Sequence, residues 1–213
     1  MARPRKASNE EVMAAAYRAM SRLGPAELTL ADIAQEAGLT AGALVQRFGS
    51  KAALLRTLAE KSSAFMRESL KEIAAAHSSP LAALRDYAAC MARMGESPEA
   101  LAHHLGWLQL DLTDPEMHRA LAAQARDTRA WFRDQLDAAV QAGEVVGTTD
   151  TKSLARTVEV AISGSLMTWA FTREGSAADF LGENLEAVLR PFLNETRAAT
   201  RAATRDRAAS RRP

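Results

Sequence analysis

Polar residues able to cap a helix recur just before apolar stripes of helical period, and glycines recur just after them. Ser8 with Glu11, Thr29 with Asp32 and Ser176 with Asp179 have the spacing of a capping box, in which each partner takes a backbone N–H that the helix leaves unpaired. Ser79-Pro80, Ser97-Pro98 and Asp114-Pro115 each set an N-cap residue before a proline, whose missing N–H costs nothing in the first turn. Gly24, Gly38, Gly143 and Gly175 stand where helices should stop, since glycine enters the left-handed cap conformation cheaply. Alternation with the strand period of two never lasts beyond a few residues. The pattern predicts helices over residues 9–22, 30–37, 41–48, 51–76, 80–94, 98–112, 115–142, 151–173 and 177–195, and no sheet.

The first three of these are short and the rest are long. The change falls near Ser50, so the expected division is residues 1–50, residues 51–195 and a tail over 196–213. Composition agrees with an all-α chain: alanine is the commonest residue, and aromatic residues make up only 5 %. Hydrophobic and charged shares of 47 % and 25 % are the ordinary globular mix. Cys90 is the single cysteine, which excludes an internal disulfide. No run of about 18 apolar residues appears and Met1 to Glu11 is polar, so neither a membrane span nor a secretory signal is expected, and the expected location is the cytoplasm.

A net charge of +1 hides a segregation: residues 1–61 carry +3, residues 62–193 carry −6, and residues 194–213 carry +4. A basic start on an acidic body fits nucleic-acid contact at one end. In the tail, Thr-Arg-Ala-Ala repeats stack Arg197, Arg201 and Arg205 on one helical face. That suits either a solvated tail or an arm that binds phosphate without sequence preference.

The segment from Thr29 to Lys51 carries the most specific pattern. Ile33, Ala34 and Ala37 give one short helix an apolar face, Gly38 breaks it, Leu39 follows in the turn, and Thr40 caps the next helix. Leu44 and Phe48 then stand four apart, while Val12, Ala16, Met20 and Leu23 of the preceding helix close a three-helix core. Two short helices joined by a glycine-containing turn form a helix-turn-helix, whose second helix enters the DNA major groove. The run Thr40-Ala41-Gly42-Ala43-Leu44-Val45-Gln46-Arg47-Phe48, then Gly49-Ser50-Lys51 with Leu54, resembles the amino-terminal domain of the TetR family of transcriptional regulators. The caps, turn, core and trailing lysine keep that family's spacing over about a fifth of the chain. Two positions depart from it: Val45 stands where the family usually has an aromatic residue, and Arg47 where it usually has His or Tyr.

The resemblance implies a DNA-reading set of Thr29, Thr40, Ala41, Gly42, Ala43, Val45, Gln46, Arg47 and Lys51. Thr40 offers its hydroxyl or amide to phosphate, and Ala41 and Gly42 let the backbone approach base edges. Gln46 can contact adenine in a bidentate fashion, and Val45 can touch a thymine methyl. Arg47 donates to phosphate, as does Lys51 beside the Ser50 cap. Thr29 has the same role at the start of the second helix.

The resemblance also implies that the long helices form an effector chamber and a homodimer interface. Met91, Met94, His103, Trp107, Trp131 and Trp169 are candidate chamber residues, although methionine and tryptophan line ordinary helix cores too. Val158 to Phe171 is apolar nearly all round, so one face can pack at home and the other on a partner. With the stripe on the following helix this makes Val158, Ile162, Leu166, Leu185, Val188, Leu189 and Phe192 candidate dimer contacts in a four-helix interface.

The expected function is a ligand-responsive repressor released from a pseudo-palindromic operator by an apolar or amphipathic effector, with no cofactor, metal or membrane partner. Two other classes stay open. One is an architectural DNA-binding protein without an effector. The other is a metal-dependent enzyme built on His103, His104, Asp111, Asp114 and His118, although Asp114 is already explained as a cap, and no catalytic or phosphate-cradling motif is present.

Overall fold

The computed structural model describes residues 7–93 and 98–194. The described residues form α1 (Asn9–Arg22), α2 (Leu30–Ala37), α3 (Ala41–Phe48), α4 (Lys51–Ala76), α5 (Pro80–Ala92), α6 (Pro98–Thr113), α7 (Pro115–Gln141), α8 (Thr151–Thr172) and α9 (Ala177–Leu189). None of the described helices is long and apolar enough to cross a membrane. The described caps act as the sequence predicts, while Ser97 lies outside the described residues. Ser8 and Glu11, and likewise Thr29 and Asp32, exchange both bonds of a capping box, while Ser79 and Ser176 accept from the third N–H of their helices. Gly38, Gly143 and Gly175 have φ near +67°, at 68°, 68° and 66°.

One glycine stop and one helix end differ from expectation. α1 stops at Arg22 with Leu23 as an extended cap, so Gly24 is not used in the left-handed conformation. α9 was expected to reach residue 195 but ends at Leu189, where Pro191 lies in a single 3-10 turn over Arg190–Phe192. Beyond it Leu193 forms an isolated antiparallel bridge with Val145, and Asn194 N–H donates to the Glu144 carbonyl at 3.0 Å.

The described helices gather into two compact units, neither continuous in sequence. The first contains α1, α2, α3, α4 to Glu68, α6 and α7 to Arg126. Its core joins Val12, Ala16 and Ala19 of α1 to Ile33, Leu44, Leu54 and Leu58, with Trp107 of α6 and Met117 of α7. Met20, Leu23, Leu39 and Phe48 are partly buried against it.

The second unit contains the rest of α4 and α7 with α5, α8 and α9. Leu81, Leu84, Phe132, Leu136, Leu154, Leu181 and Leu185 are buried there. Polar ties close its loops: Glu144 accepts from the Ser79 hydroxyl at 3.0 Å, and Asp137 accepts from the Thr151 hydroxyl at 2.6 Å.

Candidate nucleic-acid interface

The turn between α2 and α3 is set by hydrogen bonds that only a left-handed residue completes cheaply. Gly38 has φ 68°, its N–H donates to the Ala34 and Gln35 carbonyls, and Leu39 N–H donates to Ala34 at 2.8 Å. The chain is thereby returned to Thr40, whose hydroxyl oxygen accepts from Ala43 N–H at 3.2 Å and starts α3. Leu44 is fully buried and Phe48 half-buried, which turns Thr40, Gly42, Val45, Gln46 and Arg47 outward, with Ala41 and Ala43 at the edge. A Cβ at Gly42 would meet nothing closer than the Thr40 hydroxyl at 4.0 Å. The fold itself therefore does not require glycine there; an outside surface that must approach α3 closely would.

Thr29, Arg47 and Lys51 each have part of their hydrogen-bonding capacity committed inside the unit. Thr29 gives its hydroxyl proton to Asp32 Oδ2 at 2.6 Å, and this bond, with that from Thr29 N–H, lowers the Asp32 carboxyl pKa. Arg47 donates from Nη1 to the Ala7 carbonyl at 2.8 Å, and Lys51 donates from Nζ to the Pro25 carbonyl at 2.8 Å. Arginine has five N–H groups and lysine three, so both retain donors for phosphate. Arg18 and Arg22 of α1 clamp Glu36 of α2 at 2.8 and 2.9 Å, which lowers that carboxyl pKa and fixes the first two helices together.

Sequence reasoning missed that α6 packs into the core of the three amino-terminal helices. Trp107 was grouped with the other tryptophans as a chamber residue. It is buried at 6 % exposure in the first unit's core, and its indole N–H donates to the Met20 carbonyl of α1 at 3.2 Å. Gly106 lies against Pro25, and His103, half-buried, lies against Gly24. The available signal was Gly106 beside Trp107, a small residue next to a large one on one helix. Asp114, at the end of α6, takes both Nε and Nη2 of Arg56 on α4.

Trp169 of α8 donates to the Gly175 carbonyl at 3.2 Å, and Met91 is half-buried on α5. Trp131 packs with Tyr87 and Phe132, at ring-centroid distances of 5.8 and 5.7 Å. Its indole N–H is the one buried side-chain donor without a hydrogen-bond partner among the described residues. Burial pushes the Tyr87 hydroxyl up to about 12. Met94 and the tail over 196–213 lie outside the described residues.

Of the dimer candidates, Val158, Ile162, Leu185 and Leu189 are buried in the second unit's own core, and Leu166, Val188 and Phe192 are half-buried. α8 is apolar on both sides, and these are its inward side and the part of α9 that packs on it. The outward side carries Val160, 70 % exposed, Ser163, Gly164 and Phe171, 78 % exposed.

Residues 12–58 match the family described as bacterial regulatory proteins, tetR family. The segment runs from Val12 of α1 to the first turns of α4, with the whole turn and α3 inside it. No curated protein matches the chain in sequence. Among solved structures, a TetR transcription regulator from Haloarcula marismortui is similar at a TM-score of 0.73 and 18 % identity, over 87 % of this chain and 97 % of that one. FadR from Bacillus subtilis, solved with stearoyl-CoA, is similar at 0.66 and 16 %, over 85 % and 97 %. SmeT, the repressor of a Stenotrophomonas maltophilia multidrug efflux pump, is similar at 0.61 and 22 %, over 88 % and 91 %. Over residues 12–58 the chain is thus similar to the tetR family of bacterial regulatory proteins, and over most of its length it shares the fold of these solved regulators.

Proposed function

We propose that the protein is a homodimeric repressor that reads a pseudo-palindromic operator through α3 and releases it on binding a small apolar or amphipathic effector. The observation that carries the reading is α3 itself, capped by Thr40, anchored inward by Leu44 and presenting Gly42 and Gln46 to the outside. Gln46 is the base reader and contacts adenine, while Thr40, Arg47 and Lys51 bind phosphate on either side. Effector binding belongs to the second unit. Its aromatic group of Tyr87, Trp131 and Phe132 offers apolar surface, and the unpaired Trp131 N–H offers one polar point to an acceptor on the ligand. Stearoyl-CoA in FadR and the efflux-pump role of SmeT support an amphipathic or drug-like effector class. The outward side of α8, Val160, Gly164 and Phe171, is the dimer contact, and the cytoplasm is the place of action.

Selection of bound fragments from the source genome, followed by footprinting, tests the reading. Two half-sites about 34–36 Å apart, or a multiple of that, are expected from a two-fold dimer. Gln46→Ala should relax preference at one base position per half-site by about 1–3 kcal/mol. Protection of a single asymmetric half-site, or a uniform loss of affinity on all sequences in Gln46→Ala, contradicts it.

A further inference from the structure

Val45 stands out on α3, a large hydrophobic residue left 48 % exposed beside Leu44, which is fully buried. At about 100° per residue, Gly42, Val45 and Gln46 share one outward sector of the helix, and all three are exposed. Arg47, the single cation of α3, lies about 160° around the helix from Val45. Its Nη1 donates to the Ala7 carbonyl at 2.8 Å, which holds it on that other side. The outward sector therefore carries one amide and one branched apolar side chain, and no cation to take guanine O6 and N7.

Reach and spacing decide what this sector can read. Valine is short, so its methyl groups meet a base only if the helix backbone comes close to the floor of the groove. Gly42, one turn ahead, adds no side chain to hold the backbone off, and a Cβ there would meet nothing closer than the Thr40 hydroxyl at 4.0 Å. The Cα atoms of Val45 and Gln46, joined by a trans peptide, are about 3.8 Å apart, close to the step of about 3.4 Å between base pairs. Consecutive side chains thus fall on consecutive base pairs. Glutamine suits the N6 and N7 edge of adenine, and the apolar group that a base pair shows in the major groove is the 5-methyl of thymine. We infer that Val45 is a specificity-determining residue that takes the 5-methyl group of a thymine in the base pair next to the adenine read by Gln46. That position is chosen by its methyl group and not by its hydrogen-bonding edge. The inference deepens the reading of α3 as the DNA-contacting helix and rests on it.

The test uses the full-length protein and the genomic fragment it selects, synthesised as duplexes in which each thymine in turn is replaced by deoxyuridine. That replacement removes the 5-methyl group and nothing else. One thymine in each half-site, next to the adenine at which Gln46→Ala relaxes preference, is expected to lose about fourfold in affinity, the worth of one buried methyl group. At the same position 5-methylcytosine should bind several-fold tighter than cytosine. In Val45→Ala, which alters an exposed side chain, thymine and deoxyuridine should bind alike there. A methyl effect that persists in Val45→Ala belongs to another group and overturns the inference. So does 5-methylcytosine that binds no better than cytosine, since the hydrogen-bonding edge is then what is read. If no thymine next to that adenine is sensitive while Gln46→Ala still relaxes the adenine, Val45 is overturned and the reading of α3 stands. If Gln46→Ala relaxes no position, the reading of α3 fails, and the role of Val45 fails with it.

Discussion

Gly106 sits where α6 passes closest to the loop after α1, and the distance there leaves no room for a side chain. A Cβ built on it lies 2.9 Å from Pro25 Cδ and 3.3 Å from Pro25 Cγ. A proline ring cannot swing aside as a flexible side chain would, so the backbone itself must move. Gly106→Ala is expected to destabilise the protein by about 1–3 kcal/mol in urea unfolding, the usual cost of overpacking, and an unchanged midpoint would show that the loop yields freely. Asp114 is the matching polar position. Arg56 first, and then the N–H groups of Met117 and Glu116, draw its carboxyl from 3.8 down to about 2. A lowered folded pKa means a contribution present above about pH 4 and lost as pH falls toward 2. Thermal midpoints of the unaltered protein and of Asp114→Asn, which keeps a capping side chain but loses the charge, should therefore differ at pH 5 and converge near pH 2. A difference that stays constant across that window would mean that the ion pair adds nothing to stability.

At the scale of elements, the start of α3 carries folding and is proposed to carry recognition as well. Thr40→Ala removes the acceptor for Ala43 N–H and should cost about 0.5–2 kcal/mol of stability. It should also weaken DNA binding alike on all sequences, since the hydroxyl proton is proposed to face phosphate; equal DNA affinity would confine Thr40 to the cap. This element was legible in the sequence because everything that defines it is local: Thr29 with Asp32, Gly38 with Leu39, and Thr40 ahead of Leu44. The starts of α5 and α9 were readable for the same reason. The end of α9 had a local signal too, Pro191, which lacks an N–H and disfavours helix just before it; what was not legible is the bridge of Leu193 and Asn194 with Val145 and Glu144, nearly fifty residues earlier. Nor could the inner side of α8 be told from the outer one. A helix apolar all round carries no mark of which side its own chain covers, so Val158 and Ile162 looked as available to a partner as Val160 and Phe171. Trp107 shows the same limit, since residue type alone did not distinguish a core tryptophan of the reader from a chamber tryptophan.

At the scale of the whole molecule, two α3 helices can read a palindrome together only if two copies of the chain associate, and the second unit has a surface suited to that. Leu154, Val158, Ile162, Ser165 and Trp169 take the buried side of α8, leaving Val160, Gly164, Met167 and Phe171 at intervals of four, three and four along the other. That spacing makes one stripe on a helix. Val160 and Phe171 are the apolar anchors, and a Cβ at Gly164 would meet nothing within 4 Å, so a partner helix can approach closely between them. Exposed apolar side chains on a stripe of this length favour association, because burying them removes apolar surface from water at roughly 25 cal/mol per Å². Two substitutions one helical step apart in role separate the dimer from the fold. Val160→Glu puts a charge on the outward stripe and should leave the unfolding of the isolated chain nearly unchanged, while the dimer expected in sedimentation shifts to monomer and binding to two half-sites loses cooperativity. Ile162→Ala opens a cavity on the inward side and should cost about 2–5 kcal/mol of stability without moving the contact surface. A Val160→Glu protein that still sediments as a dimer would place the interface away from α8. An Ile162→Ala protein that unfolds like the unaltered one but no longer dimerises would return the interface to the side first expected from the sequence.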